Sequence, residues 1–288
     1  MKYRFIKSFK DEFPVVKMCQ VLKVSRGGYY AWLNRPISKR ELENQQLLER
    51  IKAIYLRNRG TYGSPRITDD LHDENIKVSR QRVARIMRKN DIRAKSKKKF
   101  KVTTNSNHHY KASPNLLKQN FIVEQPCNTW VSDITQVETR EGWLYLTVVI
   151  DLFNRQVVGW SMSKSMKASE TTIPALDDAC NRFGYSKGLI FHSDRGVQYA
   201  CNDFRKRLKH YNMIQSMSGT GNCYDNAVAE SFFGTLKKEL IYQDTFETRF
   251  HVRRAIFEYI EIFYNKIRKH SFLGYVSPEQ FLKLKNAA

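Results

Sequence analysis

The stretch TWVSDITQV at residues 129–137 has the composition of a β-strand, yet it carries a carboxylate, Asp133, at its centre. β-Branched and aromatic residues dominate it, as they do in strands generally. A second strand pattern, LIFHSD at 189–194, ends on Asp194, and Glu230 follows inside an apolar helical pattern. A buried carboxylate without a partner is unfavourable, so three in apolar settings indicate a shared positive partner.

The three acids predict a site for divalent metal ions. Three hard oxygen ligands favour Mg²⁺ over zinc, with Mn²⁺ as a substitute. Two such ions, roughly 3.5–4 Å apart, can activate an attacking oxygen and stabilise a leaving oxygen in phosphodiester chemistry. We therefore predict that Asp133, Asp194 and Glu230 are both metal ligands and catalytic residues. We interpret His192, on the face of Asp194, as a neighbour of the site rather than a ligand.

Each acid taken alone has an ordinary explanation. A carboxylate within a strand can accept a turn hydrogen bond, Asp194 can cap the turn that follows it, and Glu230 can be a surface residue. Their joint occurrence in a strand, at a strand end and in a helix favours the shared site.

Most of the positive charge lies in the first part of the chain. The 288 residues carry a net charge of +22; residues 1–120 contain 29 Lys/Arg and 10 Asp/Glu, whereas residues 121–288 contain 21 and 18. A basic excess of this size predicts binding to nucleic acid, because Lys and Arg contacts displace counterions from phosphates. The alternative is a basic charge that only limits aggregation. A hydrophobic fraction of 41% indicates a packed core.

Cysteine usage and the absence of long apolar runs indicate the compartment. The five cysteines are scattered and form no C-x-x-C pair, which is typical of a reducing environment without disulfides or zinc sites. No apolar leader follows Met1, and no apolar stretch reaches 18 residues. We expect a cytoplasmic protein with no membrane partner.

Two small all-α units are predicted before the strands begin. In the first, residues 14–22 and 29–33 read as short helices around a turn at 24–28, a pattern typical of a helix-turn-helix but also of other helical hairpins. In the second, helices are predicted at 41–55, 64–73 and 80–90, with Ser64 and Ser79 as their N-caps.

The helix at 80–90 is predicted to face DNA. Its apolar positions form one core face, and its other positions carry basic residues without an acid, whereas a solvated face usually mixes signs. The predicted DNA contacts are Arg80, Arg82, Arg85, Arg88 and Lys89. A basic, polar linker follows, in which Lys97, Lys98 and Lys99 are further predicted contacts. We expect this linker to be extended and ordered mainly by DNA.

From residue 121 onward the pattern changes to strands and helices. Strands are predicted at 129–137, 143–150, 156–162, 189–194 and 213–217, and helices at 169–183 and 202–211. Hairpin strands followed by alternating strands and helices predict an α/β mixed sheet with flanking helices, an order that resembles the ribonuclease-H-like fold. The predicted domains are 1–40, 41–92, the linker 93–120, the catalytic core 121–241 and a C-terminal helical extension 242–288.

Residues near the catalytic helix and in the extension complete the prediction. Asp225 or Asn226 is the expected N-cap of the Glu230 helix. Lys237 lies seven residues after Glu230 on the same face, and we predict that it binds DNA phosphate, although a solvated face explains the neighbouring Lys238 equally well. The amphipathic segment 246–267 is expected to serve as core or as a subunit contact.

The chain resembles the DDE transposases of the insertion-sequence-3 (IS3) family, specifically the product of their second reading frame, and more distantly the retroviral integrases. The matching segments are NTWVSDIT at 128–135, FHSDRG at 191–196 and NCYDNAVAESFF at 222–233. The 35 residues between Asp194 and Glu230 match the gap characteristic of the family. The likeness extends to Val24-Ser25-Arg26 near the start and to the segment 264–278 near the end.

The resemblance implies a ribonuclease-H-like core in which Asp133, Asp194 and Glu230 form the metal-binding catalytic triad. It implies cleavage at the ends of a mobile element and joining of the freed 3′-hydroxyl to another phosphodiester. It also implies a homo-oligomer on terminal inverted repeats and target DNA, with the first-frame protein as a further partner. No sustained heptads occur, so we expect the coiled coil of that first-frame protein to be absent here.

Two other functions stay open on the sequence. One is a nuclease of the same fold that uses water as its only nucleophile. The other is a DNA-binding regulator that descends from a transposase and no longer catalyses, against which the intact trio argues.

Overall fold

A computed structural model describes residues 1–95, 110, 112–219 and 223–287. Its centre is a five-stranded sheet in the order β3-β2-β1-β4-β5. The strands are β1 Thr129–Val137, β2 Leu144–Asp151, β3 Val157–Ser163, β4 Ile190–Ser193 and β5 Ile214–Met217. β1 pairs antiparallel with β2 and parallel with β4, β2 pairs antiparallel with β3, and β4 pairs parallel with β5. The predicted mixed sheet is confirmed, and each strand lies within one residue of its predicted bounds.

Both faces of the sheet are buried, because helices cover each of them. The helices of this part are α7 Thr172–Phe183, α8 Val197–Ala200, α9 Asn202–His210, α10 Ala227–Glu239, α11 Arg249–Phe257 and α12 Pro278–Asn286. Successive side chains of a strand point to opposite faces of the sheet. Trp130 therefore packs in a cluster with α7 and α9, whereas the adjacent Val131 packs in a cluster with α10 and α11. β1 therefore packs apolar side chains on both of its faces.

The first three helices form a small unit with its own core. They are α1 Lys2–Ser8, α2 Val15–Val21 and α3 Arg26–Leu33, and they enclose Ile6, Met18, Cys19 and Tyr29. The predicted turn at 24–28 is wrong, because α3 already begins at Arg26. Ser25 caps it by accepting a hydrogen bond from the N–H of Gly28. A side chain at Gly28 would collide with the hydroxyl of Tyr3, so the glycine allows close packing within a helix.

The second helical unit consists of α4 Lys39–Arg57, α5 Ser64–Asp73 and α6 Arg80–Lys89. Ser79 caps α6 as predicted, but the N-cap of α5 is Gly63, so Ser64 is already helical. Apolar side chains of this unit belong to the same buried cluster as one face of the sheet. The second helical unit is therefore packed onto the core.

The linker behaves differently from its prediction in the part that the structure describes. We predicted that DNA would order this linker, but residues 112–120 already contact β5 in the free protein. The N–H of Leu116 donates to Ser216 Oγ at 2.9 Å, and Pro114 O accepts from the N–H of Met217 at 3.3 Å. Lys97, Lys98 and Lys99 lie outside the described residues.

The C-terminal extension is core rather than a free surface. α11 continues into a π-helical segment, Glu258–Tyr264, and Val252, Ile256, Tyr259, Ile260 and Phe263 are all buried. Phe250, which the amphipathic pattern offered for packing, is 75% exposed instead. Ser277 caps α12 by accepting from the N–H of Gln280, as the Ser of a capping box does. None of the described helices has the length and apolarity needed to cross a bilayer.

Gly159 in β3 generates a stability prediction. A Cβ there would overlap the carbonyl oxygen of Ala175 and the backbone of Ala179, so α7 packs directly on the strand. We expect Gly159→Ala to lower the free energy of unfolding by about 1–3 kcal/mol. The matched control is Gly234→Ala in α10, where a Cβ meets nothing within 4 Å and a gain of about 0.5–1 kcal/mol is expected. Urea denaturation measures both, and a neutral Gly159→Ala would contradict this packing.

Candidate active site

The strand register places the two predicted aspartates side by side. Ser132 of β1 pairs with Ser193 of β4 in a parallel ladder, and Asp133 and Asp194 are the next residues along each chain. Adjacent strands lie about 4.8 Å apart, and residues in register point to the same face. Asp194 lies just after β4, which ends at Ser193, and not within the strand as predicted.

Backbone groups orient both carboxylates. The N–H of Ile134 donates to Asp133 Oδ1 at 2.8 Å, and the N–H of Gly196 donates to Asp194 Oδ1 at 2.9 Å. Burial and the nearby charge of Asp194 nevertheless raise the pKa of Asp133 well above its usual range. Two carboxylates this close repel each other, so the arrangement favours a cation between them.

Glu230 reaches the pair from α10. It is the fourth residue of that helix, and its side chain is exposed. Partial burial and the charge of Asp194 raise the pKa of Glu230, and Glu230 in turn contributes to the raised pKa of Asp133. The structure thus brings the three predicted residues within electrostatic reach of one another.

The start of α10 is held by a residue whose role the sequence did not reveal. Asn226 is the N-cap, but its side chain does not cap the helix. Its Nδ2 donates instead to the carbonyl oxygen of Ser132 at 3.1 Å, directly beside Asp133. The preceding Asp225 is buried and accepts from the N–H of Gly219 at 2.7 Å and from Asn115 Nδ2 at 2.9 Å. The Asn226 contact thus fixes the start of α10 against β1, and the Asp225 contacts join it to Gly219 and Asn115.

Lys237 lies beside the acids, as its spacing from Glu230 predicts. Its side chain is half-buried, and the carboxylate of Asp133 acts on it. Burial lowers the pKa of Lys237, and the charge of Asp133 opposes this shift. Lys238 is exposed to solvent. Whether Lys237 contacts DNA stays a prediction.

His192 is a structural neighbour of the acids. It is fully buried, with Nδ1 2.8 Å from Ser216 Oγ and Nε2 3.4 Å from Ser218 Oγ. Burial lowers its pKa to about 4, so the ring is neutral at physiological pH. Both ring nitrogens join β4 to β5 and to Ser218 after it. That His192 is a neighbour of the site and not a ligand stays a prediction.

The acids fit a divalent metal ion by the chemistry of their donors. All three groups are carboxylates, the hard oxygen ligands that divalent ions prefer. Burial, together with the charge of Asp194, raises the pKa of Asp133 and of Glu230, so a cation would stabilise their ionised forms. A second acidic group, Asp69, Asp70 and Asp73 on α5, has oxygens within 4.8 Å of one another. There the Lys269 ammonium already lies among the oxygens, 3.0 Å from Asp70. That group is therefore an ion-pair cluster.

The basic face of α6 divides into free and paired side chains. Arg80, Arg85 and Arg88 are exposed and make no ion pair with any residue that the structure describes. Arg82 binds Glu43 at 3.1 Å, and Lys89 binds Glu41 at 2.9 Å. Although α6 itself carries no acid, the neighbouring α4 supplies two.

The raised pKa of Asp133 generates a prediction for the metal-free protein. A carboxyl whose folded pKa exceeds its unfolded pKa opposes folding when ionised, so stability rises as pH falls through the folded pKa. We expect Asp133→Asn to raise the unfolding midpoint at pH 7, by about 3 °C per kcal/mol relieved, and the gain to shrink at lower pH. Differential scanning fluorimetry in chelator measures it. The control is Glu138→Gln, an exposed acid just after β1; a lowered midpoint for Asp133→Asn would contradict the account.

Family models and solved structures show similarity to this chain. Family models described as an integrase core domain match residues 123–223 and 230–284, and one described as an HTH-like domain matches residues 41–100. Among solved structures, the HTLV-2 integrase catalytic core domain in complex with magnesium has 19% identity and a TM-score of 0.42, covering 54% of this chain and 96% of that one. The simian T-cell lymphotropic virus intasome has 16% identity and a TM-score of 0.45, covering 81% and 73%. These two are distant likenesses only.

Two relatives match over nearly the whole chain. The insertion element IS600 uncharacterized 31 kDa protein of Shigella sonnei is 44% identical over 264 residues, which cover 92% of this chain and 97% of the relative. The transposase InsF for insertion sequence IS3A of Escherichia coli (strain K12) is 43% identical over 283 residues, which cover 98% of each chain. The chain therefore belongs to the IS3 family of transposases, with an integrase-type core and an HTH-like domain.

Proposed function

We propose that this protein is a DDE-type transposase that cleaves DNA at the ends of an insertion sequence and joins the freed 3′-hydroxyl to another phosphodiester. The observation that carries the proposal is the convergence of Asp133, Asp194 and Glu230 on one face, in a chain related to a transposase over 98% of its length. No covalent protein nucleophile is needed, since the attacking group is a hydroxyl of water or DNA.

The three carboxylates act as ligands for two divalent ions, Mg²⁺ with Mn²⁺ as a substitute. When bound, such ions activate the attacking oxygen and stabilise the leaving one. The chain's own part is orientation. The N–H groups of Ile134 and Gly196 hold Asp133 and Asp194, and α10 carries Glu230 to them. Lys237, beside Asp133, binds a phosphate of the reacting strand.

The basic N-terminal part of the chain binds the DNA. Arg80, Arg85 and Arg88 bind backbone phosphates of the terminal inverted repeats, and Arg82 and Lys89 do so in competition with Glu43 and Glu41. Lys97, Lys98 and Lys99 extend this surface along the linker. Pairing of two element ends and a target requires a homo-oligomer, with the first-frame protein of the element as a further partner.

The reaction is tested with matched inverted-repeat DNA and Mg²⁺. We expect wild-type protein to give joined strands. Asp194→Asn is expected to lower joining by more than about 100-fold. Such a loss exceeds the loss caused by altering a residue that only hydrogen-bonds to a metal ligand. The control is Asp203→Asn, an exposed acid in the first turn of α9.

Other outcomes of that assay identify the two competing functions. Nicked DNA without joined strands identifies a nuclease and contradicts the transferase. Binding without cutting under Mg²⁺ or Mn²⁺ identifies a DNA-binding regulator. Unchanged joining by Asp194→Asn contradicts the proposed ligand set.

The α6 surface predicts a difference between free and paired arginines. We expect Arg85→Ala to weaken DNA binding for all sequences and to reduce the slope of log affinity against log salt by roughly 0.9, because one phosphate contact is lost. Arg82→Ala is expected to change the slope less, because Glu43 already neutralises part of its charge. Fluorescence anisotropy across a salt series measures both slopes, with Arg254→Ala, an exposed arginine on α11, as the control. An unchanged slope for Arg85→Ala would contradict the proposal that α6 contacts DNA.

A further inference from the structure

One buried carboxylate, Glu239, fixes the C-terminal end of the helix that carries Glu230. Arg268 donates to it twice, from Nη2 to Oε1 at 2.7 Å and from Nε to Oε2 at 2.9 Å. The hydroxyl of Tyr259 donates to Oε2 at 2.8 Å. The side chains of Arg268 and Glu239 are only 6% and 8% exposed. A bidentate pair in such surroundings is strong and directional, and removing either partner is costly.

A third basic residue reaches the same carboxylate from the second helical unit. Arg66, on α5, places Nη1 3.9 Å from Glu239 Oε1, and its side chain is 21% exposed. Its guanidinium also lies 5.4 Å from the centre of the Tyr62 ring. Glu239 is its ion-pair partner within the described part of the chain. The unit that bears the DNA-facing helix α6 therefore contacts the last residue of α10.

The position of Glu230 depends on α10 and on little else. Its carboxylate accepts no hydrogen bond from any described residue, unlike those of Asp133 and Asp194. Glu230 and Glu239 are separated by nine residues of helix, about 13 Å along its axis. The N-terminal end of α10 is held through Asn226 on β1. A change of tilt at the C-terminal end thus moves Glu230 relative to the two strand-borne aspartates.

We propose that Arg66, Glu239 and Arg268 are positioning residues that set the tilt of α10 and, through it, the distance of Glu230 from Asp133 and Asp194. Docking of the second helical unit then completes the site, because Arg66 belongs to that unit. The contacts among these three residues couple the DNA-binding part of the chain to the position of Glu230. It rests on the proposed function only for its effect on catalysis, since anchoring of α10 can be measured without DNA or metal.

The first test measures amide hydrogen exchange along α10 in the metal-free full chain. We expect Arg66→Met to speed exchange in the last two turns of α10 by about tenfold, because local opening becomes easier. The control is Arg59→Met. The Arg59 guanidinium belongs to the same unit and lies 5.2 Å from the centre of the Phe263 ring, and it makes no ion pair with any residue of α10 that the structure describes. Exchange in α10 that equals wild type in Arg66→Met, or that rises equally in Arg59→Met, overturns the anchoring.

The second test measures strand joining at saturating DNA. We expect Arg66→Met to lower the rate about tenfold while the DNA dissociation constant stays within about twofold, because transition-state geometry rather than binding is lost. Arg66→Lys, which keeps the charge, is expected to recover most of the rate. A purely structural or DNA-binding role for Arg66 would change the melting temperature or the affinity and leave the saturated rate intact, which overturns the proposal.

The two tests can give negative results independently of each other. Glu239→Gln leaves Arg268 buried without its counter-charge and can prevent folding, so the partly exposed Arg66 carries both experiments. If wild-type protein joins no strands but Arg66→Met still loosens α10, the proposed function is wrong and the anchoring stands. If joining occurs and α10 is unaffected by Arg66→Met, the proposed function stands and the anchoring is wrong.

Discussion

Electrostatic repulsion among three carboxylates is the constraint on which the rest of this structure depends. Asp133 and Asp194 lie side by side because β1 and β4 run parallel in a fixed register, and Glu230 is added from a helix. Burial and the charge of Asp194 raise the pKa of Asp133 and of Glu230, so these two carboxylates oppose folding when they are ionised. A divalent cation would neutralise this charge, so the proposed metal site lies beside two inner strands of the sheet, β1 and β4.

The three acids differ in how firmly they are held, and this difference organises the molecule. Asp133 lies in β1 and Asp194 directly follows β4, and both accept backbone hydrogen bonds, so the two adjacent strands set their position. Glu230 depends on α10, whose two ends are tied to distant parts of the chain, to β1 at its start and to Arg268 and Arg66 at its end. The second helical unit shares a buried cluster with the sheet, so DNA binding and catalysis reside on one connected body.

The strands and the three acids could be predicted from the sequence because their signals are local. β-Branched residues dominate the segment around Asp133, and the spacing of Glu230 and Lys237 is a property of one helix. Contacts between distant residues leave no such local signal. Asn226 meets Ser132 across 94 positions, and α4 neutralises Arg82 across 39 positions, so neither could be predicted from α10 or α6 alone. The turn predicted at 24–28 is wrong because of another contact between distant residues: Gly28 packs against Tyr3 from within α3 and does not form a turn.

The most direct measurement is anomalous diffraction from crystals of the full chain soaked in Mn²⁺. The account predicts two peaks roughly 3.5–4 Å apart, bounded by carboxylate oxygens of Asp133, Asp194 and Glu230. It also predicts no peak at Asp69, Asp70 and Asp73, where Lys269 already supplies the positive charge. A peak at that second acidic group together with none beside Asp133 would contradict the central claim.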